Sequence, residues 1–133
     1  MHIPLKVTTE YTLLSSLITL DNLIACIKKN NVNICGICDK NMLGTNMFYR
    51  KCKENNIKPI IGLEINISDS VIYVYAKNYE GYKNLLNIDY IMQEREISLL
   101  DLSKYSNNLI FVVPYKYRSI AKELRKYNLY ISY

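Results

Sequence analysis

The stretch Asn56-Ile57-Lys58-Pro59-Ile60-Ile61-Gly62-Leu63-Glu64 decides the fold of this chain. A short apolar run bounded by polar residues is typical of a buried β-strand. Pro59 lies near the beginning of the run, where a strand tolerates a missing backbone N–H. Fourteen residues after Glu64, the segment Asn78-Tyr79-Glu80-Gly81-Tyr82-Lys83-Asn84-Leu85-Leu86 opens with an asparagine that can cap a helix. Together the two segments predict a strand followed, after a return strand, by a capped helix.

The remaining residues continue this alternation, which predicts an α/β fold with mostly parallel strands and flanking helices in a single domain over residues 1–133. The turn at 68–70 is too short for a crossover and predicts one antiparallel pair. The segment Asp89–Ile97 has the weakest pattern and is interpreted as a surface excursion. Strands are predicted over residues 3–7, 33–38, 58–67, 71–76, 109–113 and 129–132, and helices over 19–30, 45–55, from Asn78, from Ser98, and over 118–127.

Composition restricts the class of protein without choosing a function. The chain has 133 residues, half of them hydrophobic, which suits one globular domain with one core. The formal net charge of +5 permits weak attraction to phosphates but does not require it. The first residues lack the apolar core of a signal peptide, and no apolar run is long enough to cross a bilayer. We therefore expect a cytoplasmic protein with no membrane partner.

The four cysteines include a Cys-x-x-Cys pair, Cys35 and Cys38, within an apolar run that reads as a strand. Residues three apart on a strand point to opposite faces, so the two thiols should diverge rather than share a zinc ion or form a redox pair. We interpret these thiols as small buried hydrophobic groups.

Several segments, taken in order, resemble the PHP (polymerase and histidinol phosphatase) domain that opens the alpha subunit of bacterial DNA polymerase III. Residues 57–64 resemble its "IKPIIGCE", and residues 76–86 resemble its "AKN-EGY-NLL". Residues 7–14 are similar to "VHSEYSLLDG", residues 38–49 to "TDHGNLFGAVEFY", and residues 103–106 to the beginning of "EKYSEGLI". The resemblance implies part of a distorted β/α barrel and a chain that belongs to a longer protein.

The same resemblance implies a metal-binding site at the carboxyl ends of the strands, and most of its ligands are replaced here. The positions of the family's ligands are occupied by Lys6, Thr8, Ser15, Lys40 and Val71, while Glu64 and the acidic Asp39 remain. Ammonium groups repel a divalent ion, and threonine or valine offers it no strong ligand. We therefore expect no bound metal, no other cofactor and no catalytic residue.

The two lysines have two interpretations. Lys6 and Lys40 either replace the lost cation by pairing with Glu64 and Asp39, or point into solvent.

The resemblance implies a function as the N-terminal segment of a replicative polymerase subunit, in which this segment is itself non-catalytic and acts as a structural or docking element. Its implied partners are the remaining domains of the polymerase chain and a proofreading exonuclease subunit, with weak or indirect DNA contact. The alternatives are a free-standing metal-dependent PHP phosphoesterase, which the missing histidines disfavour, and a metal-free interaction module outside any polymerase.

Two surface features also have two interpretations each. Exposed tyrosines can stack on bases, but tyrosine is abundant in this chain and common in strands, which favours packing. The basic stripe on the last predicted helix is interpreted as a solvated face in preference to a nucleic-acid surface. The tyrosines are Tyr73, Tyr75, Tyr115, Tyr117 and Tyr130, and the basic residues are Arg118, Lys122 and Arg125.

Overall fold

The computed structural model of the chain describes Lys6 and residues 19–132, which fall into two compact units divided after Gly62. The predicted first strand, residues 3–7, lies outside the described residues except for Lys6. The elements follow in the order α1 Leu20–Lys29, β1 Ile34–Asp39, α2 Thr45–Glu54, β2 Lys58–Ile67, β3 Ser70–Ala76, α3 Tyr79–Glu94, α4 Leu99–Lys104, β4 Leu109–Pro114, a 3-10 helix Tyr115–Ile120, α5 Ala121–Leu124 and β5 Asn128–Ser132. None of the described helices has the length and apolar character needed to span a bilayer.

The first unit begins with the helix that the sequence predicts. Thr19 caps α1 by accepting a hydrogen bond from the Asn22 amide at 3.1 Å. Apolar residues at helical spacing form one face of α1, and this face packs in the core of the unit against α2. The buried cluster consists of Leu20, Leu23, Ile24, Ile27, Cys35, Ile37, Phe48, Cys52 and Ile57.

The helix α2 connects β1 to β2 in a strand–helix–strand arrangement, as the sequence predicts. Its C-cap is Asn55, and Asn56 then adopts a left-handed conformation with φ 58°. The Lys58 amide donates to the Asn33 carbonyl at 2.7 Å, which brings the beginnings of the two strands together. Two strand starts lying side by side are the arrangement of a parallel pair.

In the second unit, β2 turns directly into β3 through Ser68 and Asp69. Both residues have positive φ, 47° and 61°. Two consecutive left-handed residues are the signature of a tight hairpin whose twist matches the flanking strands. The short antiparallel connection predicted at residues 68–70 is therefore present.

The pairing of β3 with β4 departs from the parallel arrangement expected for strands separated by helices. It is antiparallel, with Ala76 opposite Leu109 and Tyr73 opposite Val112. The chain leaves β3 and returns into β4 at adjacent points because two helices, α3 and α4, form the excursion between them. A single helix would have carried the chain to the opposite end of the sheet.

Gly81 lets this excursion close tightly. The Asn78 side chain caps α3 by accepting from the Gly81 amide at 3.0 Å, and the Lys77 amide donates to the Asn108 carbonyl at 3.0 Å. A Cβ atom on Gly81 would overlap the Asn108 carbonyl oxygen. Asn108 itself has φ 61°, which asparagine tolerates better than most residues. Glycine is therefore required at position 81 by contact with backbone.

The segment predicted to be a surface excursion, Asp89–Ile97, is mostly helix. The α3 helix continues to Glu94, since Ile88 faces the core and the buried Asp89 accepts a hydrogen bond from Gln93 at 3.1 Å. The weak pattern arose because a carboxylate occupies a buried helical position.

The turn from α3 into α4 is fastened by one carboxylate. Asp101 accepts from the Ser98 amide at 2.9 Å in a capping box. It also receives two hydrogen bonds from the Arg95 guanidinium, at 2.6 and 2.7 Å. These contacts hold the pKa of Asp101 well below its usual range, first through the Arg95 hydrogen bonds and then through the Ser98 amide.

The predicted basic helix over residues 118–127 is much shorter than expected. A 3-10 helix comes first, with non-helical angles at Tyr117, and α5 is a single turn. The chain has to re-enter the sheet at Asn128, which lies opposite Ile110 in the parallel β4–β5 pair. Tyr127 instead stacks on Phe111, with ring centroids 5.0 Å apart.

The strands are hydrogen-bonded in sequence order, β1-β2-β3-β4-β5, with helices flanking them. The α/β class predicted from the sequence is confirmed, whereas closure into a barrel and the single-domain organisation stay predictions.

Gly81→Ala should lower the free energy of unfolding by about 1–3 kcal/mol, because the new methyl group meets a fixed carbonyl oxygen. Helix propensity alone predicts the opposite sign, a gain of about 1 kcal/mol. Urea unfolding followed by circular dichroism measures the change. Glu80→Ala, one residue away on the exposed side of the same helical turn, is the control; equal or higher stability for Gly81→Ala would contradict the close approach.

Candidate functional site

The residues that the resemblance places at metal-ligand positions are divided between the two units. In the first unit, Asp39 is the last residue of β1 and is 2% exposed, while Lys40 follows it in an exposed turn and Lys6 is also exposed. In the second unit, Glu64 lies within β2 and Val71 within β3, both half-buried. Thr8 and Ser15 lie outside the described residues.

The side chains at these positions are poor ligands for a divalent metal. Lysine ammonium groups carry positive charge and no lone pair, and valine has no donor atom. Among Lys6 and residues 19–132, no three histidine, cysteine, aspartate or glutamate side chains form a group suited to a metal ion. The expected absence of a bound metal stays a prediction. The pairing of Lys6 and Lys40 with Glu64 and Asp39 stays one of two interpretations.

The Cys-x-x-Cys pair belongs to the packed interior. Cys35 and Cys38 are 0% and 1% exposed within β1, and Cys52 is buried on α2. Burial raises the pKa of Cys35 to about 12, with Cys52 adding to the shift, and raises that of Cys52 to about 11. Thiols held in the protonated form are weak nucleophiles and weak metal ligands. The interpretation of these residues as small hydrophobic groups is supported.

A polar groove between α1 and α2 is the second candidate in the first unit. Its lining combines two lysines, Lys28 and Lys51, with the carboxylates of Asp21 and Glu54. Lys51 forms a salt bridge with Asp21, and Lys28 donates to the Asn55 side chain at 3.1 Å. The charges balance within the groove, so its electrostatics favour neither an anion nor a cation.

An apolar face of α3, formed by Tyr79, Leu86 and Tyr90, is the feature that the sequence interpretation missed. All three side chains are exposed, and the Lys83 ammonium lies 5.2 Å from the centre of the Tyr79 ring. Spacings of seven and four residues place the three on one side of a helix. That spacing was visible in the sequence, but the same residues also fit an inward-facing stripe.

The tyrosines considered for base stacking separate into two groups. Tyr75 is buried and Tyr73 and Tyr117 are half-buried, whereas Tyr115 and Tyr130 are exposed. Packing therefore accounts for the first three residues, as the sequence interpretation favours, but not for the last two.

Comparisons with known proteins give a consistent result. A family model described as "PHP domain" matches residues 4–130. The chain is 34% identical to DNA polymerase III subunit alpha of Halalkalibacterium halodurans over 122 residues, covering 84% of this chain and 11% of that protein. For the proteins of the same name from Ureaplasma parvum serovar 3 and Staphylococcus aureus, the values are 38% over 103 residues and 33% over 129 residues, covering 76% and 91% of this chain. The chain spans about a tenth of the length of these curated relatives.

The buried thiols lead to a prediction about cysteine reactivity. In the native protein, one thiol per chain should react rapidly with a small aromatic disulfide, because only Cys26 is exposed. Cys26→Ser should abolish the rapid reaction, and four thiols should react with the wild type in strong denaturant. Absorbance of the released thiolate measures the stoichiometry. Rapid reaction of two or more native thiols would contradict the packing of Cys35, Cys38 and Cys52.

Proposed function

The chain belongs to the PHP domain family, and from that premise we propose that it is the N-terminal PHP segment of a DNA polymerase III alpha subunit. The observation that carries the proposal is the match over residues 4–130 together with relatives of that one name at 33–38% identity. In this proposal, DNA synthesis belongs to the part of the subunit that the relatives carry outside the matched region. The segment completes the wall of a PHP-type barrel and works in the cytoplasm of a bacterium.

The segment itself is proposed to be non-catalytic, with a degenerate metal site. Phosphoester hydrolysis by metal-activated water requires several histidine and carboxylate ligands around the ion. Here Lys6, Thr8, Ser15 and Lys40 stand at ligand positions, which leaves Glu64 and Asp39 as the carboxylates. In this proposal the two carboxylates are better suited to pairing with Lys6 and Lys40 than to holding two or three metal ions.

A structural role requires a surface to which the remaining domains of the subunit can bind. The apolar face of α3 supports that role, because Tyr79, Leu86 and Tyr90 expose large apolar groups on one helix. We assign this face to the remaining domains of the polymerase chain, since the relatives carry about nine-tenths of their length outside the matched region. A separate proofreading exonuclease is the proposed second partner of the PHP segment.

A chimaera tests the proposal. The matched residues of the Staphylococcus aureus alpha subunit are replaced by this chain, and primer extension is measured before and after heating. We expect an active chimaera. Leu86→Ser with Tyr90→Ser should speed its thermal inactivation by about tenfold or more, because burying a large apolar side chain contributes about 1.5–3 kcal/mol.

The matched control for the chimaera is Leu43→Ser with Met47→Ser, which removes two exposed apolar side chains from the first unit. This variant should inactivate at the rate of the unmodified chimaera. Equal effects of the two double variants would argue against docking on α3, and an inactive or insoluble chimaera would argue against the polymerase assignment.

The degenerate site leads to a prediction about metal content. Protein purified without chelator should contain well under one manganese, zinc or iron ion per chain by plasma mass spectrometry. It should also show no manganese-stimulated hydrolysis of single-stranded DNA. Restoring imidazoles with Lys6→His, Thr8→His and Lys40→His should raise the metal content, because neutral histidine supplies the missing lone pairs.

The result that would contradict the degenerate site is two or three tightly held ions in the wild type. Hydrolysis that disappears in Glu64→Ala would contradict it as well. Lys28→His, Lys29→His and Lys53→His supply the same number of histidines elsewhere, and this control should not gain metal.

A further inference from the structure

The apolar face of α3 and Lys83 together form a straight row of large side chains. Tyr79, Lys83, Leu86 and Tyr90 follow one another at spacings of four, three and four residues, and all four are exposed. At a rise of about 1.5 Å per residue, the row from Tyr79 to Tyr90 is about 16 Å long. Alternating spacings of four and three residues are the ones that pack lengthwise along a second helix.

Contacts within α3 hold the first half of this row in place. Tyr79 stacks on Tyr82 with ring centroids 6.1 Å apart, and the Lys83 ammonium lies 5.2 Å from the centre of the Tyr79 ring. Lys83 also forms a salt bridge with Glu80 at 2.9 Å. These side chains are ordered before a partner arrives, which reduces the entropy cost of binding. The charges in this half of the helix neutralise each other.

The C-terminal end of α3 is negatively charged. Its last turn has no basic residue, and the exposed Glu94 side chain has no ion pair or hydrogen bond with the described residues. The neighbouring Arg95 binds Asp101 through two hydrogen bonds. Residues 94–101 contain three carboxylates and a single cation, and a helix C-terminus adds partial negative charge of its own. This end of the row therefore attracts a positive group.

We propose that the apolar face of α3 binds an antiparallel amphipathic helix from the remaining domains of the polymerase chain, with a lysine or arginine just before its first turn. The inference rests on the function proposed above and names the kind of segment that covers this face. An antiparallel helix brings its positive N-terminal end to the negative end of α3, where the basic residue pairs with Glu94. Apolar residues of the partner at spacings of three and four pack between Tyr79, Leu86 and Tyr90.

The geometry and charge of this face argue against other occupants. A partner strand adds to an exposed sheet edge, whereas the backbone groups of a helix are bonded within the helix. A proline-rich segment docks in a groove between aromatic rings, whereas the outer side of a helix is convex. A second copy of α3 in antiparallel orientation would bring the acidic Glu80 of its first turn towards Glu94, so like charges would approach each other.

The test is binding of designed peptides to the 133-residue chain, measured by fluorescence anisotropy. The probe is a labelled peptide of about 20 residues, long enough to be helical alone. It has leucine at heptad positions a and d and two lysines before its first turn, and it is used below the concentration at which it self-associates. A second peptide differs by two central prolines, which break the helix, and should bind about tenfold more weakly or worse.

Substitutions in the chain locate the site of binding. Leu86→Ser with Tyr90→Ser should weaken binding of the probe by about tenfold or more, because two large side chains lose their apolar contacts. Glu94→Lys should weaken it by about threefold, as expected for an exposed ion pair. A reversed probe, with glutamates in place of the two lysines, should bind Glu94→Lys more tightly than the wild type.

Two matched controls come from the first unit. Leu43→Ser with Met47→Ser removes two exposed apolar side chains, and Glu54→Lys reverses an exposed carboxylate that ends α2 as Glu94 ends α3. Both controls should bind the probe like the wild type. Circular dichroism verifies folding, and because Glu94 is exposed, Glu94→Lys still decides the outcome if the double variant of α3 unfolds.

Disulfide trapping measures the orientation of the bound helix. The chain carries Cys26→Ser, which removes the exposed thiol, and a cysteine is introduced at one end of α3 or the other as Glu94→Cys or Glu80→Cys. The probe carries a cysteine at its N-terminus, and exchange takes place in a glutathione redox buffer. Cross-linking to the Glu94→Cys chain should be faster by about tenfold or more, because an antiparallel helix holds the two thiols together.

Equal binding of the helical and the proline peptides would overturn the inference, and so would faster cross-linking of the Glu80→Cys chain. An equal effect of Glu54→Lys and Glu94→Lys would remove the role assigned to Glu94. Self-association of the chain that the α3 changes abolish, without peptide binding, would identify a second copy as the occupant. If these changes destabilise the chimaera but no peptide binds, docking on α3 stands and the helical partner alone is wrong.

Discussion

The carbonyl oxygen of Asn108 is the contact on which the second unit depends. It accepts the Lys77 amide and sits so close to α3 that Gly81 has no room for a Cβ atom. This closes the α3–α4 excursion at its base, so β4 begins where β3 ends and the two strands pair antiparallel. The later elements are built onto β4, since the 3-10 helix follows it directly and β5 pairs with it in parallel.

The alternation of strand side chains separates the predicted ligand positions from the packed core. Glu64 lies between Leu63 and Ile65, which are both fully buried, while its own side chain points to the other face. Val71 is likewise half-buried beside the fully buried Ile72. Residues on the face that carries Glu64 and Val71 can change without altering the packed face. The packing of these two strands therefore does not depend on what the side chains at positions 64 and 71 bind.

The two exposed surfaces of the second unit differ in how far the sequence reveals them. The five cations of residues 115–130 are visible in the sequence, but only the burial of Ile120, Ala121 and Leu124 decides that these cations lie on the outer side of the segment. The apolar face of α3 has helical spacing in the sequence, yet the burial of Leu85 and Ile88 decides which side of that helix is inside. The spacing of apolar residues shows that a helix has an apolar face, and only the packing shows whether that face is buried or exposed.

The sequence by itself determined the elements whose signals are local. The Thr19 and Asn78 caps, the Ser98–Asp101 capping box, the Ser68–Asp69 turn and the burial of Cys35 and Cys38 all depend on neighbouring residues. The tertiary structure decided the antiparallel β3–β4 pair, the extension of α3 through the buried Asp89 and the shortening of the last helix to one turn. These features depend on contacts between residues far apart in the chain, such as Gly81 with Asn108 and Tyr127 with Phe111. The periodicity of side chains along the sequence does not predict such contacts.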